Sequence, residues 1–231
     1  MGSIGRICRL CANAVGVTVL VGALVGLEAA ATPVLAQSLE QQIDTALKPA
    51  PQPRLTRGLG VTRSLGENDS DPKAADERRF IDRLRTRSIV VEPSDPGAAE
   101  ERAKIAEIVR DKPRIDLEIY FDYDSAMVGP KALPALVALG HVLSKPDYAT
   151  TIFFINGHTD AQGSPAYNLT LSQRRADAVR RVLVEQFRLA PDTLVSVGFG
   201  KELLKIPEQP FASQNRRVQI VNTGQKATAG R

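Results

Sequence analysis

From residue 114 onward, apolar and polar positions follow two regular periods along the chain. Alternating or wholly apolar stretches predict four strands, at residues 115–121, 151–155, 194–198 and 217–221. Apolar positions spaced by three and four residues predict two helices, at residues 132–143 and 168–188. The order β-α-β-α-β-β predicts an α/β fold of the α+β two-layer sandwich type, in which two helices cover one face of a four-stranded mixed sheet.

The hydrophobic pattern is weaker upstream of these elements and predicts a largely flexible N-terminal region. Residues 37–73 are expected to hold one short helix, at 38–48, followed by a Pro- and Gly-rich linker with too little apolar surface to fold. Residues 74–111 contain two charged helical segments and are predicted to be a spacer that packs partly on the domain. The domain itself is expected at 112–223. Residues 224–231 have no large apolar side chain and are predicted to be a disordered tail.

The first 36 residues have the composition of an export signal. Arg6 and Arg9 precede an uncharged apolar run at residues 10–27. Short side chains at residues 34–36 then predict cleavage by a signal peptidase before Gln37. The alternative is an uncleaved helix that anchors the chain in the inner membrane, because the apolar run is close to the length of a membrane span.

Composition argues against several functions. Cys8 and Cys11 both lie within the predicted signal peptide, so the mature chain would have neither a disulfide nor a thiol nucleophile. With only His141 and His158 and no cysteine, a structural zinc site is not expected, and His158 is predicted to be a hydrogen-bonding residue of a turn. The 30 basic and 26 acidic residues are mixed, without a basic stripe interleaved with aromatic residues, which argues against a nucleic-acid partner.

One charged side chain interrupts the apolar face of the second predicted helix. The residues at four-residue spacing along this face are Leu171, Arg175, Val179, Leu183 and Phe187. Four of the five are large and apolar and are expected to face the sheet. The guanidinium in this row needs an anion, because burying an unpaired charge is prohibitively costly.

Asp160 is the nearest candidate anion, because the loop that contains it connects a predicted strand directly to this helix. Arg175 offers a fork of donors suited to a carboxylate, and Asp160 offers acceptors suited to an ammonium. Together they predict a site for a zwitterionic ligand. The alternative is a closed salt bridge between the two residues with no ligand, and their spacing alone does not decide between these hypotheses.

Residues 157–176, GHTDAQGSPAYNLTLSQRRA, resemble the signature of the OmpA C-terminal domain, which also occurs in peptidoglycan-associated lipoproteins and flagellar stator proteins. Three flanking motifs are similar to other parts of that family: FDYDSA at 121–126, GFG at 198–200 and NRRV at 215–218. The resemblance covers roughly half of the chain. Residues 201–213 depart from the usual family pattern, which leaves the edge of the binding pocket, and the finer ligand preference, open.

The resemblance implies non-covalent binding of peptidoglycan stem peptides through the side-chain end of meso-diaminopimelate, which carries an ammonium and a carboxylate on one carbon. Asp160 matches the family's ammonium-binding aspartate, and Arg175 matches its carboxylate-binding arginine. The other positions that match ligand-binding residues of the family are Asn168, Thr159, Asp122 and Arg216.

The expected function is therefore that of a binding module of the periplasm or cell envelope, associated with the outer membrane, that links peptidoglycan to outer-membrane or other envelope proteins. Two alternatives remain: an envelope tether that binds no ligand, and an inner-membrane-anchored protein similar to a stator. No enzymatic activity is expected, because the chain lacks a nucleophile elbow and His158, Asp160 and Ser164 are too close along one loop for triad geometry. Neither a cofactor nor a metal ion is expected.

Overall fold

The computed structural model describes residues 31–49, 72–87, 90–91, 97–117 and 126–227. The α-helices in these segments are α1 (Ala31–Leu47), α2 (Pro72–Arg87), α3 (Ala98–Val109), α4 (Leu133–Leu143) and α5 (Pro165–Phe187). The strands are β1 (Val90–Val91), β2 (Arg114–Leu117), β3 (Thr151–His158), β4 (Leu194–Gly200) and β5 (Val218–Lys226).

These strands form one mixed sheet in the order β1-β4-β3-β5-β2. Strand β3 pairs in parallel with β4 and antiparallel with β5, and β2 pairs antiparallel with β5. The four predicted strands are all present, with two helices over one face, and the predicted fold class is confirmed. A fifth strand extends the sheet, because β1 from the predicted spacer pairs in parallel with β4.

The first face of the sheet is covered by α4 and α5. Alternate residues of the strands, such as Phe153 and Ile155 of β3, are buried here against the apolar sides of both helices. Helix α1 packs on α4 from the outside and contributes the fully buried Ile43 and Leu47 to the same core. The end of α1 is held by a 2.9 Å hydrogen bond from Asn222 Nδ2 to the carbonyl oxygen of Leu47.

The second face is covered by α2 and α3, the charged helices of the predicted spacer. Each of these helices has a few apolar residues, and together they bury Ile152 and Phe154 of β3 and their neighbours on β4. The helix residues that provide this cover are Phe80, Ile81, Leu84, Ala98, Ile105 and Val109. Strand β3 is consequently buried on both sides, which explains why its sequence is a continuous apolar run rather than an alternating one.

The structure changes one boundary at the C-terminal end of the chain. Strand β5 continues to Lys226, so the prediction of a disordered tail from residue 224 is wrong for residues 224–226. The ammonium of Lys226 donates to the carbonyl oxygen of Asp147 at 3.0 Å and to Oγ1 of Thr151 at 2.9 Å. These bonds hold a segment that has no large apolar side chain of its own.

Several N-terminal predictions lie outside the described residues: most of the signal peptide, at residues 1–30, and nearly all of the linker predicted at 49–73. Helix α1 crosses the predicted cleavage position before Gln37. Within the described part of the chain, none of the helices combines the length and the hydrophobicity required to span a bilayer.

Candidate functional site

The carboxyl end of β3 leads into residues 159–164, which we call the Asp160 loop. The last residue of the strand, His158, donates its backbone N–H to the carbonyl oxygen of Arg217 at 3.0 Å, and Thr159 donates to Gly200 at 2.8 Å. The loop is thus bonded to both neighbouring chain segments just before Asp160. This fixes the aspartate at the edge of the sheet where α5 begins.

Asp160 is largely buried, and both of its carboxylate oxygens accept hydrogen bonds. Oδ1 accepts from the backbone N–H of Gln162 at 3.2 Å, and Oδ2 accepts from Nη1 of Arg216 at 2.7 Å. The Asp160 side chain is 12% exposed, whereas that of Arg216 is 47% exposed. A cation therefore already lies on this carboxylate, on the side that faces solvent.

The start of α5 is tied to the same loop. Ser164 caps the helix by accepting from the N–H of Tyr167 at 3.2 Å, and Pro165 occupies the first helical position, where its missing N–H costs nothing. Asn168, which is buried, donates from Nδ2 to the carbonyl oxygen of Gln162 at 2.8 Å. The role of Asn168 seen here is to join the helix to the Asp160 loop.

Arg175 lies about two turns further along α5, on the face that packs against the sheet. It is 6% exposed and shares this face with the buried Leu171, Val179 and Leu183, as the sequence row predicts. The structure thus provides a buried guanidinium on α5 and a buried carboxylate in the loop that precedes the helix.

Two glycines allow α5 to approach the sheet unusually closely. Gly157 of β3 and Gly198 of β4 are paired neighbours, and a Cβ added to either would overlap the backbone of Ser172 or Gln173. The side chains of these two residues then accept hydrogen bonds from β4: Gln173 Oε1 from Gly198 N–H at 2.6 Å, and Ser172 Oγ from Gly200 N–H at 2.8 Å. Sequence analysis missed Ser172 and Gln173, although a glycine near the end of each of two neighbouring strands is a signal of close helix packing.

Residues 201–215, which we call the rim loop, connect β4 to β5 beside the Asp160 loop. Buried Asn215 organises the rim loop, because its Oδ1 accepts from Ile206 N–H at 2.9 Å and its Nδ2 donates to the carbonyl oxygen of Gln209 at 2.9 Å. The rim loop contacts the Asp160 loop through a 2.9 Å hydrogen bond from Ala161 N–H to the carbonyl oxygen of Pro210. Residues 201–213 of this loop are the segment expected to depart from the usual family pattern.

A partly buried polar cluster attaches the rim loop to the second face of the sheet. Asp116 of β2 accepts from Gln219 at 2.9 Å and forms ion pairs with Arg217 at 3.4 Å and with Lys205 of the rim loop at 3.2 Å. Burial alone would raise the pKa of the Asp116 carboxyl. The hydrogen bond from Gln219 and the two cations more than offset this, so the pKa lies below its ordinary value.

His158 lies next to this cluster, and its ring stacks on that of Phe199 with 5.6 Å between centroids. Neither ring nitrogen has a hydrogen-bond partner, so the prediction that the side chain serves as a hydrogen-bonding residue of the turn is wrong. Burial, with a smaller contribution from the charge of Arg217, lowers the pKa of His158 to about 3. The imidazole is therefore neutral at physiological pH.

The sequence of this region matches one family model, that of the OmpA family, over residues 120–218. These residues belong to the OmpA family. The match contains β3, α5 and β4 entirely, together with the Asp160 loop, Arg175 and the rim loop.

Related proteins match the same part of the chain. It is 36% identical over 119 residues to outer membrane porin F of Pseudomonas fluorescens, a match that covers 51% of this chain and 34% of the relative. It is 39% identical over 104 residues to the peptidoglycan-associated lipoprotein of Pseudomonas aeruginosa, covering 44% of this chain and 59% of the relative. The chain thus spans less than two thirds of the length of these curated relatives.

Among solved structures, the peptidoglycan-associated lipoprotein of Burkholderia pseudomallei is 34% identical, with 45% of this chain and 87% of that chain covered and a TM-score of 0.39. The periplasmic domain of MotB, residues 64–256, is 18% identical, with 61% of this chain and 89% of that chain covered and a TM-score of 0.40.

The six predicted site residues have different outcomes in the structure, and Arg175 is buried on α5 as predicted. Asp160 and Arg216 are brought into direct contact, and Asn168 bonds to the loop of Asp160. Thr159 uses its backbone N–H to hold that loop, while its buried hydroxyl has no partner. Asp122 lies outside the described residues, and its assignment stays a prediction.

Proposed function

We propose that the OmpA-like domain binds peptidoglycan non-covalently and so attaches this protein to the cell wall. The ligand group is the zwitterionic end of meso-diaminopimelate in the stem peptides. The observation that carries this proposal is the buried carboxylate of Asp160, which already holds a cationic group at 2.7 Å on its solvent side. The relative from Pseudomonas aeruginosa, whose name describes it as peptidoglycan-associated, supports the same conclusion.

Each pole of the ligand has a counterpart in this site. The Asp160 carboxylate accepts hydrogen bonds from the ligand ammonium, in the position that Arg216 Nη1 occupies in the free protein. The buried guanidinium of Arg175 binds the ligand carboxylate through its planar fork of donors. Asn168 and Thr159 keep the Asp160 loop in place, and Asp122 is proposed as a further ligand-binding residue.

The wider role that we propose is that of a link between the wall and the envelope. The protein is exported through cleavage before Gln37, resides in the periplasm or at the outer membrane, and connects peptidoglycan to another envelope protein. It has no enzymatic activity. Both curated relatives described above are envelope proteins by name, which supports this placement.

A structural tether without a ligand is the second candidate, because the Asp160–Arg216 ion pair satisfies the carboxylate without any bound molecule. Co-sedimentation of the protein with purified peptidoglycan sacculi separates the two functions. If the pocket binds the zwitterion, Asp160→Asn and Arg175→Ala each weaken binding by about 2–5 kcal/mol, roughly 30-fold to several-thousand-fold, because the remaining charge is left unpaired.

The chain offers matched controls for both substitutions. Arg174 precedes Arg175 on α5 but is exposed, and Asp147 is an exposed aspartate at the opposite end of the sheet. Arg174→Ala and Asp147→Asn are expected to bind sacculi like the wild type. A stem peptide with lysine in place of diaminopimelate offers no carboxylate for Arg175 and is expected to bind at least tenfold more weakly. Wall binding that survives Arg175→Ala would contradict the zwitterion pocket, and a wild-type protein that does not co-sediment with sacculi would favour the tether.

A further inference from the structure

The rim loop carries an exposed aromatic side chain on a segment that is bonded to the Asp160 loop. Phe211 is 68% exposed, although it directly follows Pro210, whose carbonyl oxygen bonds to the neighbour of Asp160. The backbone around Phe211 is held by Asn215, which donates to the carbonyl oxygens of Gln209 at 2.9 Å and Pro210 at 3.2 Å. The ring is therefore exposed on a fixed support and not on a free loop.

The rim loop also carries a cationic group that contacts the Asp160 loop. Lys201, the first residue of the rim loop, donates from Nζ to the carbonyl oxygen of Gly163 at 3.0 Å. Because an ammonium has three donors, this bond leaves Lys201 able to bind a second acceptor. The Asp160 loop thus bonds both to Lys201 and to Pro210, the residue that precedes Phe211.

We propose that Phe211 and Lys201 form a second subsite, which binds the part of the stem peptide that continues beyond the diaminopimelate. This proposal rests on the proposed function. When the zwitterionic end is bound in the pocket, the rest of the peptide extends across the surrounding loops. That part consists of alanine methyl groups and the free carboxylate of a glutamyl residue, which suit an aromatic face and an ammonium respectively.

The surface around Phe211 agrees with a ligand of this kind. A single exposed phenylalanine needs no explanation by itself. Here, however, the backbone that carries Phe211 is held next to the Asp160 loop, because Pro210 accepts hydrogen bonds from Ala161 N–H and from Asn215 Nδ2. A preorganised contact loses little conformational entropy when the ligand binds, so it adds affinity efficiently.

The test compares two ligands by calorimetric titration of the full-length protein: free meso-diaminopimelate, which fills only the pocket, and the tripeptide L-Ala-γ-D-Glu-meso-diaminopimelate, which reaches the rim. Phe211→Ala is expected to weaken tripeptide binding about fivefold to twentyfold and to leave binding of the free amino acid unchanged. Lys201→Gln is expected to weaken tripeptide binding roughly threefold. Leu133→Ala, which removes an exposed apolar side chain from α4, serves as the control and is expected to change neither affinity.

The outcomes separate this subsite from the pocket. An unchanged tripeptide affinity in Phe211→Ala overturns the subsite alone, as does an equal loss for both ligands, which would make Phe211 part of the pocket. A wild-type protein that binds neither ligand overturns the proposed function and the subsite together. Because Phe211 is exposed, Phe211→Ala is expected to melt at the wild-type temperature, which excludes misfolding as the cause of a loss.

Discussion

The two faces of the sheet are covered in different ways. On the first face, α5 approaches so closely that its backbone lies against Gly157 and Gly198, and the side chains of Ser172 and Gln173 bond to β4. On the second face, α2 and α3 make contact through isolated apolar side chains, and part of the face is covered by a polar cluster instead.

This difference follows the location of the candidate site. Helix α5 carries Asn168 and Arg175, and the strand beneath it leads to Asp160. The position of α5 relative to this strand therefore determines the geometry of the site. None of the predicted site residues lies on α2 or α3. The second face therefore needs a cover that excludes water, and a few apolar residues on two charged helices provide it.

Gly157→Ala is expected to have the largest combined effect on stability and binding, because it forces α5 away from the first face. The new methyl group would overlap the carbonyl oxygen of Ser172, a backbone atom that can move only with the helix. We expect a loss of about 3 kcal/mol in the free energy of unfolding, measured by urea denaturation, and loss of sacculus binding.

Gly224→Ala is the matched control for this substitution. No atom lies within 4 Å of a Cβ added at Gly224, and only its positive φ of 72° opposes a side chain. Gly224→Ala is expected to lower the free energy of unfolding by about 1 kcal/mol and to leave sacculus binding intact. If the two variants were equally stable, the close packing of α5 would not be a constraint on the first face.

Ile105→Ala tests whether α3 is an integral part of the second face. Ile105 is fully buried, and its truncation is expected to cost about 2–4 kcal/mol in the free energy of unfolding. Ile108→Ala on the same helix removes an identical but only partly buried side chain and is expected to cost less. Both variants are expected to bind sacculi normally while folded. A cost below about 0.5 kcal/mol for Ile105→Ala would make α3 a loosely attached spacer.

The first face could be predicted from the sequence because its signals are local and repeated. The row from Leu171 to Leu183 specifies which side of α5 is buried, and it singles out Arg175 without any knowledge of the fold. The helix begins three residues before the predicted start at Asn168. Its true start has a recognisable signal, since Ser164 is a cap and Pro165 suits the first turn.

The second face could not be predicted to the same extent, because its cover is specified by tertiary contacts. Three apolar residues on α2 are too few to distinguish a packed helix from a solvated spacer. The Asp160–Arg216 ion pair could not be predicted from the sequence either. It depends on the path of the rim loop, which is built from turns held by Asn215 and has no hydrophobic period.

The smallest expected effect concerns pH and tests the polar part of the second face. His158 faces Arg217 and Asp116 there, with its pKa lowered to about 3, whereas an unfolded histidine titrates near its ordinary value of about 6.5. Between these two values the unfolded chain binds a proton that the folded protein does not bind. The free energy of unfolding therefore falls as the pH falls, by at most about 1.4 kcal/mol per pH unit.

His158→Phe removes this titration and retains a ring that can stack on Phe199. Between pH 6.5 and 5, the wild type is expected to lose about 2 kcal/mol of stability more than the variant, measured by urea unfolding at several pH values. The lowered pKa of Asp116 has its own effect only at lower pH, since stability from a carboxylate with a depressed pKa is lost as the pH falls below about 4. The interval from pH 6.5 to 5 therefore isolates the histidine. If the free energy of unfolding changed with pH equally in the two proteins, His158 would be protonated in the folded state as well. The polar part of the second face would then be open to water, unlike the apolar first face.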